Sequence, residues 1–187
     1  MWRKMAIVCA IATMACGAPG AAQGDERARV DRACEGAHLI AVDEAARRRA
    51  IKVIRCLVNR ERALHNVRKL RGSKRLRRAA ARHSAAMVSR GYFGHRTPQG
   101  DDVRQRARRT GYVRPQRSAL LGETLAWGSG PLASPAELVA SFMSSTPHRR
   151  TMLSSRYRDL GIGLALGAPT PVVDAAATLT LNFGRRD

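Results

Sequence analysis

Hydrophobic periodicity changes once along this chain, and that change constrains the fold more than any other feature of the sequence. Up to about residue 110 the apolar residues recur at helical spacing; strand-like alternation comes late, in residues 160–166 (LGIGLAL) and 178–183 (TLTLNF). A doubly wound parallel sheet would need helices and strands in alternation. Helices first and strands last predict an α+β domain, with the sheet and the helices in separate layers.

The helical part reads in some detail. A first helix is expected from about Ala41, with Asp43 and Glu44 in its first turns, where carboxylates favour the helix dipole. Ile51, Ile54, Leu57, Val58 and Leu64 form its apolar stripe, and Arg47, Arg48, Arg49, Arg55, Arg60 and Arg62 take the other side. Residues 66–71 read as a connector whose Leu70 plugs the core. Ser73 suits the N-cap of a second helix that Gly91 stops after Arg90. Leu76, Ala80, His83 and Met87 make its inner face, so His83 reads as a hydrogen-bonded core histidine ahead of a ligand. A short helix over residues 101–109 ends at Gly111, followed by a loop over 115–120 and a short strand over 123–127. Ser134-Pro135-Ala136-Glu137 has the form of a capping box with proline at the first helical position. The helix it opens presents Leu138, Val139 and Phe142 and ends near Pro147; residues 148–153 add a further helical turn.

The first residues bear on the compartment. Trp2-Arg3-Lys4 precedes an uncharged apolar run, residues 5–15, of secretory-leader length and too short to cross a bilayer. Gly20-Ala21-Ala22 offers the small residues a signal peptidase reads. Residues 1–22 are therefore expected to be a signal peptide, residues 23–40 a polar arm, and residues 41–187 the folded domain of a secreted protein. A lipoprotein anchored at Cys16 is the second reading, although Thr13-Met14-Ala15 lacks the leucine-like residue such sites favour. No later stretch is long and apolar enough to span a membrane. Of the four cysteines, Cys9 and Cys16 leave with the leader. Cys34 and Cys56 remain, an even pair in an oxidising compartment, and are expected to form a disulfide. Closing that loop stabilises the fold by about 3 kcal/mol. A buried free thiol is the alternative, better suited to Cys56 than to Cys34, which sits in a polar segment.

Charge narrows the partners. Thirty-four Lys and Arg against 14 Asp and Glu give a formal charge of +20, a field that attracts nucleic acid, anionic wall polymers or anionic lipid heads. The arginines are scattered, however, and aromatics are only 4%, which leaves no stacking platform for single strands. No recognition-helix or zinc-finger pattern occurs either, so specific nucleic-acid binding is not expected. The glycines of residues 161–167 lack dinucleotide-loop spacing and mark close packing in a strand instead. There is no nucleophile elbow, no His-Glu-x-x-His pair and no Cys-x-x-Cys. What remains is a dispersed set, His95, Glu123 and His148, each beside a glycine or proline turn, with His83 nearby. Two imidazoles and a carboxylate suit a divalent metal such as zinc or general acid–base work.

A family resemblance joins these pieces. In order along the chain come Cys56-Leu57-Val58-Asn59-Arg60-Glu61-Arg62, Ala81-Arg82-His83-Ser84 with Met87, and Gly91-Tyr92-Phe93-Gly94-His95. Gly111-Tyr112, Gly122-Glu123-Thr124-Leu125, Pro147-His148-Arg149 with Leu153, Asp159-Leu160-Gly161-Ile162-Gly163 and Asn182-Phe183-Gly184 follow. In this order they resemble the bacterial branch of the CAP superfamily (cysteine-rich secretory proteins, antigen 5 and pathogenesis-related proteins), whose unit is the SCP domain. The Cys34 and Cys56 arrangement resembles that of secreted actinobacterial members. The resemblance implies a three-layer α–β–α sandwich with an antiparallel sheet, and a cleft lined by His95, Glu123, His148 and His83. In some relatives the cleft histidines, here His95 and His148, hold a divalent metal. Others bind sterols, lipids or glycans, and proteolysis has been suggested for a few. The chain departs from the family at Thr124 (usually Asn), at Phe142 (usually Trp) and at Ser145-Thr146-Pro147 (usually Ser-Pro-Gly). The second cleft glutamate of eukaryotic members has no counterpart near residues 143–145. The resulting expectation is a monomeric, secreted binding domain for envelope glycans, lipids or other polyanions, more a binder than an enzyme. The alternative is a metal-assisted, peptidase-like hydrolase using Glu123 with His95 and His148.

Overall fold

A computed structural model describes residues 34–186. The leader, its cleavage point, Cys16 and residues 23–33 of the arm lie outside the described residues. Helix α1 is Glu44–Leu64, β1 Arg71–Gly72, α2 Lys74–Arg90, α3 Val103–Arg109, β2 Ala119–Ser129, α4 Pro135–Ser144, α5 Thr146–Met152, β3 Asp159–Leu166 and β4 Ala176–Arg186. The strands form one sheet in the order β1-β3-β4-β2. β4 pairs antiparallel with both β2 and β3, and β1 adds a two-residue parallel edge against Asp159 and Leu160. Helices α2 and α3 lie on one face; α1, α4 and α5 lie on the other. The predicted α–β–α sandwich is present, its sheet antiparallel except at that short edge.

Local chemistry explains most of the boundaries. Asp43, expected inside the first turn of α1, caps it instead, its carboxylate accepting from the Ala46 N–H at 2.7 Å. Ser73 caps α2, and Gly91 ends it with φ at 62°, a left-handed backbone that glycine adopts without strain. Asp102 and Gln105 form a reciprocal capping box on α3, which starts two residues later than expected. Ser134 caps α4 by accepting from the Glu137 N–H. A disulfide joins Cys34 to Cys56 and so ties the segment before α1 to the middle of that helix.

Two residues of α1 exchange the sides assigned to them. Leu64 is 62% exposed, whereas Arg62 is fully buried. The inner row is Ile54, Val58 and Arg62 at i, i+4 and i+8, and the arginine continues it because carbonyls await its guanidinium. Nη1 donates to the carbonyls of Met152, at the end of α5, and Ser154, at 2.6 and 3.0 Å, and Nε donates to that of Arg68 at 2.9 Å. A buried cation at a helix C-terminus meets the negative end of the dipole there. Burial pushes its pKa down from the ordinary arginine value.

The two faces of the sheet differ in chemistry. Leu160, Ile162, Leu164, Leu179, Leu181 and Phe183 build the main core with α1 and α4. The opposite face is made of small and polar residues at the same strands' alternate positions: Gly161, Gly163, Thr180, Asn182 and Gly184. A Cβ at Gly161 would fall within 3.0 Å of the Leu76 backbone, and one at Gly163 within 3.0 Å of the Ala80 backbone. These glycines therefore let α2 lie directly on the strands, and Ser84 of α2 donates to the Gly163 carbonyl at 2.9 Å. A second small core, Leu76, Ala107, Tyr112, Val113 and Ala119, fills the space between α2, α3 and the sheet.

Candidate functional site

Strand alternation decides which side chains meet. Glu123 of β2 stands opposite Asn182 of β4 and points to the small-residue face, towards α2 and α3. Its carboxylate is 3% exposed and engaged at both oxygens. His95 Nδ1 lies 2.9 Å from Oε1, and Arg106 Nη2 donates to Oε2 at 2.6 Å. Because a carboxylate accepts, Nδ1 carries the proton, and the Nε2 side of the 60% exposed His95 ring is turned outward. His95 sits on the loop after Tyr92-Phe93-Gly94, and Arg106 holds that loop by donating Nη1 to the carbonyls of His95 (2.9 Å) and Asp101 (2.7 Å).

Arg106 is the functional residue that sequence reading missed. It stands among Arg104, Arg108 and Arg109, and only position separates it from them. Val103, Ala107 and Thr110 mark the inner face of α3, and Arg106 falls on that same face at i+3 from Val103. Its side chain is 7% exposed, so the Arg106–Glu123 contact is a buried ion pair with further hydrogen bonds to carbonyls.

His83 lies under this cluster, 1% exposed. Its Nε2 donates to the Gly94 carbonyl at 3.0 Å, which leaves Nδ1 to accept from the Tyr92 hydroxyl at 3.3 Å. Both ring nitrogens support the loop that carries His95, the structural role expected for a core histidine. Burial, then the Arg106 charge, lowers its pKa below the ordinary histidine value, with Glu123 pulling the other way. Between the lowered folded value and the unfolded value of about 6.5, the unfolded chain binds more protons, so stability rises with pH across that window. The contribution is full above about pH 6.5 and is lost as pH falls through the folded value. Urea unfolding at stepped pH should show this slope, and His83→Gln should flatten it.

His148, on α5, is half-buried with its ring edge-on to Phe142, centroids 5.4 Å apart. Phe142, where the family usually has Trp, is therefore the surface that seats this histidine. Burial and the neighbouring His95 charge lower its pKa. Glu123, His95, His83 and Arg106 thus form one electrostatically coupled cluster, and His148 joins it through His95. Thr124 lies elsewhere: it faces the opposite side of the sheet from Glu123, so the missing asparagine at that position takes nothing from the glutamate's surroundings. The amide across from Glu123 belongs to Asn182, which is buried and has no hydrogen-bond partner among the described residues.

The donor set does not fit the zinc site expected of His95 and His148. Catalytic zinc takes three protein ligands. Glu123 already serves a guanidinium and an imidazole, and both nitrogens of His83 are taken. Among the described residues no group of three His, Cys, Asp or Glu side chains is arranged to hold a metal ion. No helix of the described residues is long and apolar enough to cross a membrane.

Comparison with known proteins places this arrangement in context. The family model described as the cysteine-rich secretory protein family (CAP) matches residues 56–182, more than half of the chain. No curated protein matches the sequence. Among solved structures, an extracellular protein containing an SCP domain from Bacillus anthracis superposes with a TM-score of 0.61 at 23% identity, over 78% of this chain and 44% of that one. An outer surface protein of Borrelia burgdorferi superposes with a TM-score of 0.59 at 17% identity, over 74% of this chain and 93% of that one. At these identities the likeness is one of fold, and the chain spans less than half of the Bacillus protein.

Proposed function

The chain belongs to the CAP family of cysteine-rich secretory proteins, and from that premise we propose that it is an exported binding domain for cell-envelope glycans or lipids. Residues 1–22 act as the removed leader, residues 23–40 as an arm, and the domain works as a monomer outside the cell. The extracellular and outer-surface descriptions of the two structural relatives support the location. The ligand meets His95 and His148, with Glu123 behind them orienting His95, and the basic surface holds its anionic groups.

One observation favours binding over a hydrolase that uses Glu123 as its base. Glu123, the only carboxylate of the cluster, has one oxygen on Arg106 and the other on His95. A general base must reach its substrate's proton, and this side chain is 3% exposed behind its two partners. This carboxylate is instead spent on orienting His95, whose outward nitrogen then offers a fixed polar contact to a sugar hydroxyl or a lipid headgroup.

Sedimentation tests the reading. Purified mature protein should pellet with cell walls or with anionic liposomes at about 0.15 M salt, where surface charge is already screened. His95→Ala should weaken that capture. Protein left in the supernatant with both materials would end the proposal.

A further inference from the structure

The end of the sheet where β3 begins carries a cleft that shares no residue with the His95–Glu123 cluster. It has a volume of about 300 Å³. Arg71 of β1, Arg114 and Arg117 of the loop before β2, Arg158 just ahead of β3, and Arg185 and Arg186 of β4 line it, against one carboxylate among the described residues, Asp159. That carboxylate is already committed. Its Oδ1 accepts from Arg71 at 3.1 Å, and its Oδ2 accepts from the Tyr112 hydroxyl at 2.8 Å.

The floor of the cleft is built, not incidental. Tyr112 reaches Asp159 by lying across Gly184, where any Cβ would overlap the phenol. The Arg186 guanidinium sits over the same ring, 5.0 Å from its centroid. Arg114 and Arg117 are exposed at the rim, and neither has a carboxylate partner among the described residues.

Arg114 and Arg117 add positive charge at the rim of this concavity, and an anion seated in it lowers the repulsion between them. The forks of the lining arginines arrive from four separate segments, so a planar carboxylate would engage only one or two of them. A tetrahedral oxyanion presents oxygens in several directions and suits the set. The volume lies at the small end of ligand sites and leaves room for a phosphate together with an attached sugar or polyol. No large exposed apolar side chain lines the cleft. Val42 and Val172 lie at the opposite end of β3, beside Leu166.

We propose that this arginine cleft is an oxyanion site that takes the phosphate groups of a phosphodiester-bearing envelope polymer. It deepens the binding reading above and rests on that reading for the source of the ligand.

Calorimetry with sodium pyrophosphate on the mature protein, at about 0.15 M salt, tests the site itself. Saturable binding of one pyrophosphate per chain is expected. Arg114→Ser/Arg117→Ser should weaken it about tenfold or more, because two charge-assisted contacts are lost. Arg48→Ser/Arg49→Ser removes the same charge from an exposed stretch of α1 and should leave affinity within about twofold. No saturable binding, or equal weakening in both variants, would overturn the site. The same proteins are then sedimented with cell walls and with phosphatidylglycerol vesicles. Walls that hold the unmodified protein and the α1 variant but release the cleft variant support the polymer. Retention of all three by walls overturns the cleft's part while leaving the binding reading intact. Selective pyrophosphate binding with no wall retention, or capture by vesicles through the cleft, overturns the polymer as the ligand.

Discussion

Arg106→Leu is expected to destabilise the domain by about 3–5 kcal/mol, the cost of leaving a buried charge without its partner. The substitution removes the donor to Glu123 Oε2 and both donors to the carbonyls of His95 and Asp101. Glu123 then keeps only His95, on a loop that has lost its anchor. Thermal unfolding should show a Tm lower by on the order of 10 °C for a domain of this size. The double variant Arg106→Leu/Glu123→Leu separates the causes, since replacing a whole buried ion pair with apolar groups is often close to neutral. Recovery of most of the loss in the double variant identifies the stranded carboxylate as its source. A double variant as unstable as the single one would place the loss in the loop carbonyls instead.

Gly163→Ala should destabilise the fold by more than about 3 kcal/mol, a large value for one methyl group. The reason is the match between helix and strand. Four residues of α2, from Leu76 to Ala80, advance about 6 Å, and two residues of β3, from Gly161 to Gly163, advance about 6.6 Å. Each glycine therefore receives the helix backbone one turn further along. Backbone cannot rotate away as a side chain does, so the added methyl must lift α2 and with it the Ser84 contacts to Gly163 and Thr180. Gly100→Ala makes a fair control. Its φ is 85° with nothing near the site of a Cβ, so only the left-handed backbone penalty of about 1–2 kcal/mol applies. Urea midpoints that are equal for the two variants would show that α2 does not press on β3 as described.

Much of the architecture was legible because it is written in local chemistry. Ser73 and Gly91 bracket α2, and Ser134-Pro135 opens α4, with no tertiary information needed. The strands were readable only where apolar residues alternate. β2 begins at Ala119, four residues before the expected short strand, because Ala119-Leu120-Leu121 is a continuous apolar run without alternation. β4 extends to Arg185 and Arg186, which look like solvent residues and are held in the strand by pairing with Leu120 and Ala119. β1 is two residues long, too short for any alternation to register. The site divides in the same way. Glu123 and His95 could be joined through the order of family-like segments, whereas Arg106 could not, because helix periodicity marks an inward position without saying what awaits the side chain there. Arg62 shows the converse: its charge argued for solvent, and the carbonyls that outweigh that argument come from α5, some 90 residues further on.

The order of the sheet also bears on when the domain can form. β4 stands between β3 and β2 and supplies one side of both long ladders, yet it is the last of these elements to be made. A nascent chain that stops at residue 175 has α1 to α5 but no strand able to pair β2 with β3. Leu160, Ile162 and Leu164 can meet α1, but their strand has no long ladder partner until residues 176–186 arrive. Folding is thus postponed until β4 has been made, as expected where the decisive pairings are distant in sequence.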